Sequence, residues 1–431
     1  MSHSIFKAKY EGTDLSTDVT GIGRSNTYGA YTARYADLPE VTETVRVDMQ
    51  TFEGKGGFGC NPKYIVEELH RRNPNYEFVW FVNDMDKEFP DYIKMVPNTL
   101  WSRAYWLSRS KVWIDNYRKP YGTRKRKGQF YINTWHANMG FKTIGLWRGE
   151  KFSQMAYLVS ANDSKMIDNV IIDSNYCEIM FRKGLVYDGA YLKVGQPRCD
   201  ALFGNRDEAK AIFRERNHLP KDAKMVMFAP TFREISKDGK RGVFSEIWTI
   251  DFSRLLQNLE KRFGGEWYLC VRVHPQLASS VKDYRDSELG NRIVDCSQAA
   301  DMYEILSAMD AFITDYSSAA FDAGYCQMPV FLYADDIEKY STDRGSLLWD
   351  LTNDTNSKVY NNKVVTPEIE AILPYPIAKN NEELEQRILA FDEEVYVKAL
   401  KEMEKAIGLI FDGNASSGVV DKIIKVVEEV K

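Results

Sequence analysis

Ile313-Thr314-Asp315-Tyr316-Ser317-Ser318-Ala319-Ala320-Phe321-Asp322 reads as a buried strand that stops at a polar turn and opens a helix. A helix start leaves several backbone N–H groups without intrahelical partners, and the helix dipole adds partial positive charge there. The hydroxyls of Ser317 and Ser318 add two donors at the same place. A strand, turn and helix so arranged suit a phosphate or diphosphate. The bland alternative is a serine that merely caps its own helix.

The same strand–loop–helix alternation extends in both directions. Upstream strands are expected at 44–49, 77–82, 111–114, 129–134, 224–229, 267–273, 292–295 and 311–314, and one downstream at 329–333. Helices are expected from 61 to about 72, at 252–263 and at 301–308, with amphipathic helices over 382–408 and 416–430. Alternation of this kind predicts parallel α/β sheets. With 431 residues the chain exceeds one ordinary core. The expected division is a polar leader 1–43, Rossmann-like domains 44–200 and 201–400, and terminal helices 401–431 that pack back on the first domain. Ligands of such sheets sit beyond the carboxyl ends of the strands.

Composition bounds the function. Apolar residues make up 44% and charged residues 28%, which suits a folded globular protein. The net charge of −5 argues against a nucleic-acid partner. Six cysteines without a CxxC pair argue against a zinc site or disulfide framework and fit a reducing cytosol. No signal-peptide core and no apolar run of spanning length is present, so a membrane role would be peripheral.

Five histidines occur: His3, His70, His136, His218 and His274. His70 and His218 lie among charged residues and are expected to be solvated. His136 follows the strand 129–134, at the sheet edge where reactive groups gather, and histidine is the usual general base near neutral pH. Its bland alternative is a ring packed on Trp135. His274 follows the strand 267–273 and precedes Pro275, which favours an extended backbone. Thr231 and Arg233 follow the first strand of the second half, and Arg233 offers a fork for phosphate oxygens. Asp315, Asp322 and Arg344 complete the polar set. Arg118, Lys119, Arg124, Lys125, Arg126 and Lys127 form a basic run that is either a solvated loop or an attractor for an anionic surface. The Gly-rich turn 53–59, with Lys55, lacks a nucleotide fingerprint and reads as a backbone-approach loop.

Taken together these segments resemble the CDP-glycerol glycerophosphotransferase family, which includes teichoic-acid polymerases, primases and capsule-building relatives. The matching stretches run in order: Thr51–Gly56, Thr134-Trp135-His136, Gly195-Gln196-Pro197-Arg198-Cys199-Asp200, Ala229–Arg233, Arg272-Val273-His274-Pro275, Thr314–Ser318 with Phe321-Asp322, Tyr340 with Arg344-Gly345, and Asp412–Ser417. The resemblance implies a GT-B fold, two Rossmann-like domains facing across a cleft. It implies transfer of a polyol phosphate from CDP-glycerol or CDP-ribitol to a polyprenyl-linked or polymeric acceptor, at the cytoplasmic face of a membrane, with release of CMP. His136 is then the expected base. Thr231, Arg233, His274, Asp315, Ser317, Ser318, Asp322 and Arg344 are the expected donor set, with His274 also catalytic. Lys55, Lys142 and the basic run are expected to face the acceptor or membrane. No metal and no cofactor are expected.

Three positions depart from the family pattern: Ala137, Tyr375 between Pro374 and Pro376, and Gly418, where Arg is frequent. Two rival readings follow. One is a GT-B glycosyltransferase or epimerase acting on a nucleotide sugar. The other is an inactive GT-B module of an assembly.

Overall fold

A computed structural model describes residues 8–10, 13–15, 46–50, 57–231, 235–237, 240–242, 249–273, 289–344, 347–351, 362–365 and 370–429. The chain divides into two units. The first takes in residues up to Asn138, Thr143–Asp200 and Leu409 onward; the second takes in Met139–Lys142 and Ala201–Gly408.

In the first unit, β1 (Arg46–Gln50) leads to α1 (Cys60–Arg72), β2 (Glu77–Val82), β3 (Ile93–Pro97), α2 (Leu100–Arg109), β4 (Val112–Asp115) and β5 (Phe130–Asn133). Then follow α3 (Gln154–Ser164), β6 (Asn169–Ile172), α4 (Asn175–Gly184) and β7 (Ala190–Lys193). The seven strands form one parallel sheet in the order β3-β2-β1-β4-β5-β6-β7. Strands β4, β5 and β6 are wholly buried, as expected where helices cover both faces. The order reverses between β1 and β4, which makes their carboxyl ends the natural ligand side.

The second unit repeats the plan. After α5 (Arg206–Arg216) come β8 (Lys224–Phe228), α6 (Phe252–Phe263), β9 (Trp267–Val271), β10 (Ile293–Asp295), α7 (Met302–Leu306) and β11 (Ala311–Thr314). Next are α8 (Ala319–Tyr325), β12 (Val330–Tyr333), α9 (Ile337–Arg344), β13 (Ile377–Ala378), α10 (Asn381–Leu389) and α11 (Glu393–Ile407). The six strands are parallel in the order β10-β9-β8-β11-β12-β13, with the reversal between β8 and β11.

Helix ends follow local chemistry. Asp251 caps α6 through Arg254 N at 3.0 Å, and Gly264, at φ 68°, ends that helix. The single helix expected over 382–408 is two. Asp392 caps α11 by accepting Val395 N at 3.0 Å, and Phe391 turns into the core against Phe331 and Tyr396. Position 400, the expected domain border, therefore lies inside a continuous helix. Strands β3, β6 and β7, with helices α2, α3 and α4, were not expected from the sequence.

The last helix, α12 (Ala415–Glu429), belongs to the first unit. Val419, Val420, Ile423 and Val427 join the core formed by Ile65, Val66, Leu69, Phe78 and Trp80. Asp200 holds its start, accepting Ala415 N at 3.0 Å and Ser416 N at 2.8 Å. Gly418 meets the first unit so closely that a Cβ there would lie 2.7 Å from Val194 Cγ1. The helix packs flush at that point, where glycine leaves room for Val194.

His70 is not simply solvated: its ring stacks on Tyr92 at 3.8 Å. None of the six cysteines forms a disulfide, and Cys270 is a buried core residue.

Candidate functional site: a histidine turn and a serine tip

The first unit presents His136 just beyond β5. Thr134 N bonds Asp115 O at 2.7 Å, which continues the ladder between β4 and β5 for one more residue. Trp135 then takes a left-handed backbone, φ 49°, a strained conformation for a bulky residue. Asn133 Oδ1 steadies it by accepting Trp135 N at 2.8 Å. The turn brings His136 Nδ1 to 2.8 Å from the backbone carbonyl of Asn116, just past β4. A carbonyl only accepts, so Nδ1 carries the proton and the lone pair of the neutral ring resides on Nε2. The imidazole also packs on Trp135, ring centres 4.5 Å apart. Packing and a directed hydrogen bond therefore coexist at this residue.

The carbonyls of the turn are themselves held. Asn61, at the start of α1, donates Nδ2 to Trp135 O at 3.2 Å and to Gln196 Oε1 at 2.8 Å. Arg198 donates Nη1 to His136 O at 2.6 Å. Neither Asn61 nor Asn116 stands out in the sequence, because Asn61 acts from a distant helix start and Asn116 acts through its backbone.

The basic run does not form one exposed surface. Lys119 is fully buried, its Nζ 2.5 Å from Asp115 Oδ2, so the expectation that it faces acceptor or membrane is corrected. Arg118 is mostly buried and reaches Asp163, Ser164 and the Leu185 carbonyl. Burial pushes the Asp163 carboxyl up, and the Arg118 and Lys119 charges oppose that shift. Lys125 pairs with Asp168, and Arg126 donates to Ser108 O at 2.9 Å. Arg124 and Lys127 are exposed.

In the second unit the switch between β8 and β11 is tied by Asp315. Its Oδ1 accepts Thr231 N at 2.8 Å and Tyr316 N at 2.5 Å. Thr314 Oγ1 donates to Ala229 O at 2.6 Å across the same gap. Asp315 is thus a buried anchor rather than an exposed ligand group. Asp322 is likewise buried and accepts the Tyr303 hydroxyl. Every residue of α8 is buried, whereas Ser317 and Ser318 at its tip are partly exposed. Ser318 occupies the cap position yet makes no side-chain cap bond. Ser317 Oγ accepts Ala319 N only at 3.4 Å. The bland capping reading therefore fails for Ser318.

Tyr316 stacks on Tyr340 at 4.0 Å and donates its hydroxyl to Asp336 Oδ1 at 2.9 Å. Met139–Lys142 packs within this unit. Phe141 lies against Phe321, ring centres 4.9 Å apart, and Leu348 N bonds Phe141 O at 2.7 Å. A Cβ on Gly140 would stand 3.8 Å from Ser318 Cβ, and Lys142 Nζ sits 5.8 Å from the Tyr340 ring centre. Tyr375 fills the core behind α8: its ring meets Phe321, and its Oη would lie 2.4 Å from a Cβ on Gly324.

Arg272 supports the strand end before His274. It is partly buried and donates to Cys296 O at 2.8 Å and Ala299 O at 2.9 Å. His274, Arg233 and Lys55 lie outside the described residues; Arg344 ends α9. Among the described residues no three His, Cys, Asp or Glu side chains cluster as a metal site, and no helix is long and apolar enough to cross a membrane.

The chain is similar to the teichoic acid poly(glycerol phosphate) polymerase of Staphylococcus epidermidis, 28% identical over 408 residues, covering 91% of this chain and 53% of that protein. It is similar to the polymerase of the same description from Bacillus subtilis, 25% identical over 407 residues, covering 90% of this chain and 51% of that one. The chain thus spans about half the length of these curated relatives. The solved structure of the wall teichoic acid polymerase TagF matches with a TM-score of 0.74 at 25% identity, over 95% of this chain and 96% of that chain. The α/β fold is accordingly of the GT-B class. Residues 41–425 match one family throughout, and the chain belongs to the CDP-glycerol:poly(glycerophosphate) glycerophosphotransferases.

Proposed function

We propose that this chain transfers glycerol phosphate, or a related polyol phosphate, from a CDP-linked donor to a hydroxyl of a lipid-linked or polymeric acceptor. His136 Nε2 takes the acceptor's proton. The resulting oxygen attacks the phosphorus that bears the polyol, and CMP departs. The charge developing on CMP meets the backbone N–H groups and hydroxyls of Ser317 and Ser318, with Thr231 beside them. His274, Arg233 and Arg344 are assigned to the same diphosphate on the sequence pattern alone. Positioning and charge stabilisation carry most of the effect, as in other phosphoryl transfers.

The observation that supports this reading best is the Asn116 carbonyl at His136 Nδ1, 2.8 Å away, which puts the neutral ring's lone pair on Nε2, the atom assigned to the substrate proton. A second support is the sequence: His136 stands four residues before Gly140, the glycine that packs beside Ser318. The work is assigned to the cytoplasmic face of a membrane, with Lys142 and the exposed Arg124 and Lys127 toward the acceptor side.

A donor screen tests the proposal. Purified chain is mixed with CDP-glycerol, CDP-ribitol or nucleotide sugars plus a polymeric acceptor, and nucleotide release is measured. Release of CMP from a CDP-polyol alone is the expected result. Release from a nucleotide sugar instead would move the chain to the glycosyltransferase or epimerase reading. Release from none would leave an inactive assembly module.

A further inference from the structure

We propose that Arg198 is a positioning residue for His136, fixing the strained turn that aims the imidazole, with Asn61 holding Arg198 in register. The inference rests on the reading of His136 as the proton acceptor.

Three consecutive carbonyls of the turn are engaged from outside it. Asn61 Nδ2 lies 3.4 Å from Thr134 O and 3.2 Å from Trp135 O, and Arg198 Nη1 donates to His136 O at 2.6 Å. The same Asn61 side chain accepts Arg198 N through Oδ1 at 3.1 Å and donates to Gln196 Oε1 at 2.8 Å. Asn61 therefore joins the histidine turn to the segment that carries the arginine. All three residues, Asn61, Gln196 and Arg198, are at most 2% exposed. Arg198 also approaches Cys60 Sγ at 3.8 Å, where Cys60 itself has a left-handed backbone at φ 58°.

A left-handed backbone at a tryptophan is strained and persists only where its surroundings over-determine it. A charge-assisted bond to the next carbonyl is the strongest restraint available to such a turn. Rotation of the His136 peptide would carry Nδ1 away from Asn116 O. A neutral imidazole released from that carbonyl favours the opposite tautomer, with the proton on Nε2, which cannot accept a substrate proton. Arg198 therefore acts on the chemistry through the tautomer and direction of His136. Its place in Gly195-Gln196-Pro197-Arg198 suits this, since Pro197 stiffens the approach.

The test uses the full chain with nitrogen-15 labelled histidine. The His136 signals are identified by their loss in His136→Gln. Wild type is expected to show the Nδ1–H tautomer above the ring's pKa. Arg198→Met is expected to shift the ring toward the Nε2–H form, with kcat for CMP release lowered about 10- to 100-fold and the donor KM within about threefold. Arg198→Lys keeps a charge and a donor and is expected to recover part of both readouts. If Arg198→Met does not fold, Arg198→Lys alone decides, by a tautomer shift of smaller size. A wild-type tautomer with wild-type kcat in the folded variant overturns the proposal. If wild type itself releases no CMP, the base reading falls, and the tautomer readout, which needs no substrate, still decides whether Arg198 orients the ring.

Discussion

Asp315 Oδ1 accepts the backbone N–H of Thr231 at 2.8 Å, so one buried carboxylate joins the two strand ends at which the order of the second sheet reverses. This separates two roles in one short motif. Asp315 builds the turn, and the serines after it present donors. Asp315→Ala is expected to lose roughly 1–3 kcal/mol of stability by leaving backbone donors without their acceptor, measured by urea unfolding. Ser317→Ala with Ser318→Ala is expected to leave stability within about 1 kcal/mol and to weaken CDP-glycerol binding by calorimetry. A double variant that binds the donor like wild type removes the serines from the donor site.

Gly418 is a packing residue. Gly418→Arg is expected to destabilise the chain by about 1–3 kcal/mol or more, because any side chain must displace Val194. Val194→Ala combined with Gly418→Ala should recover stability relative to Gly418→Ala. Equal melting points for Gly418→Arg and wild type would mean that α12 docks with more room than this packing allows.

The Tyr375 hydroxyl is buried and, among the described residues, has no hydrogen-bond partner. Tyr375→Phe is therefore expected to be neutral or stabilising by about 1 kcal/mol, since it removes an unsatisfied polar group and keeps the ring on Phe321. Gly324→Ala should destabilise, because its Cβ meets that hydroxyl. Marked destabilisation by Tyr375→Phe would reveal a partner for the hydroxyl.

Burial pushes the Asp200 carboxyl up to about 6, against the opposing bonds from Ser416 and Ala415. A carboxyl raised on folding favours the folded state while protonated. Its contribution is complete below the unfolded value near 4 and is lost as pH rises through about 6. Wild-type stability should therefore fall with rising pH across that window more than that of Asp200→Asn. Parallel pH–stability curves for the two would show that Asp200 titrates normally.

Much of the fold was legible because parallel strands buried on both faces appear as apolar runs with polar ends. The stretches 224–228, 267–271 and 311–314 carry that mark. Short Asn169–Ile172 did not stand out, and Ala190–Lys193 is a partly exposed edge strand without an apolar run. His136 was legible from its place at a strand end. Its partner was not, since the Asn116 carbonyl arrives through the register of β4 against β5, and every residue has a carbonyl. Lys119 misled because a run of cations looks solvated. Its partner Asp115 ends β4 four residues earlier and draws it inward. Ser318 could be told from an ordinary helix cap only by its side-chain geometry.

The most direct measurement is CMP release from CDP-glycerol, with and without a polymeric acceptor, by wild type and His136→Ala. Acceptor-dependent release by wild type is expected, with a loss of roughly 10²–10⁴-fold in turnover for the variant and donor affinity unchanged. Equal turnover in the two proteins, or no CMP from wild type, would contradict this expectation.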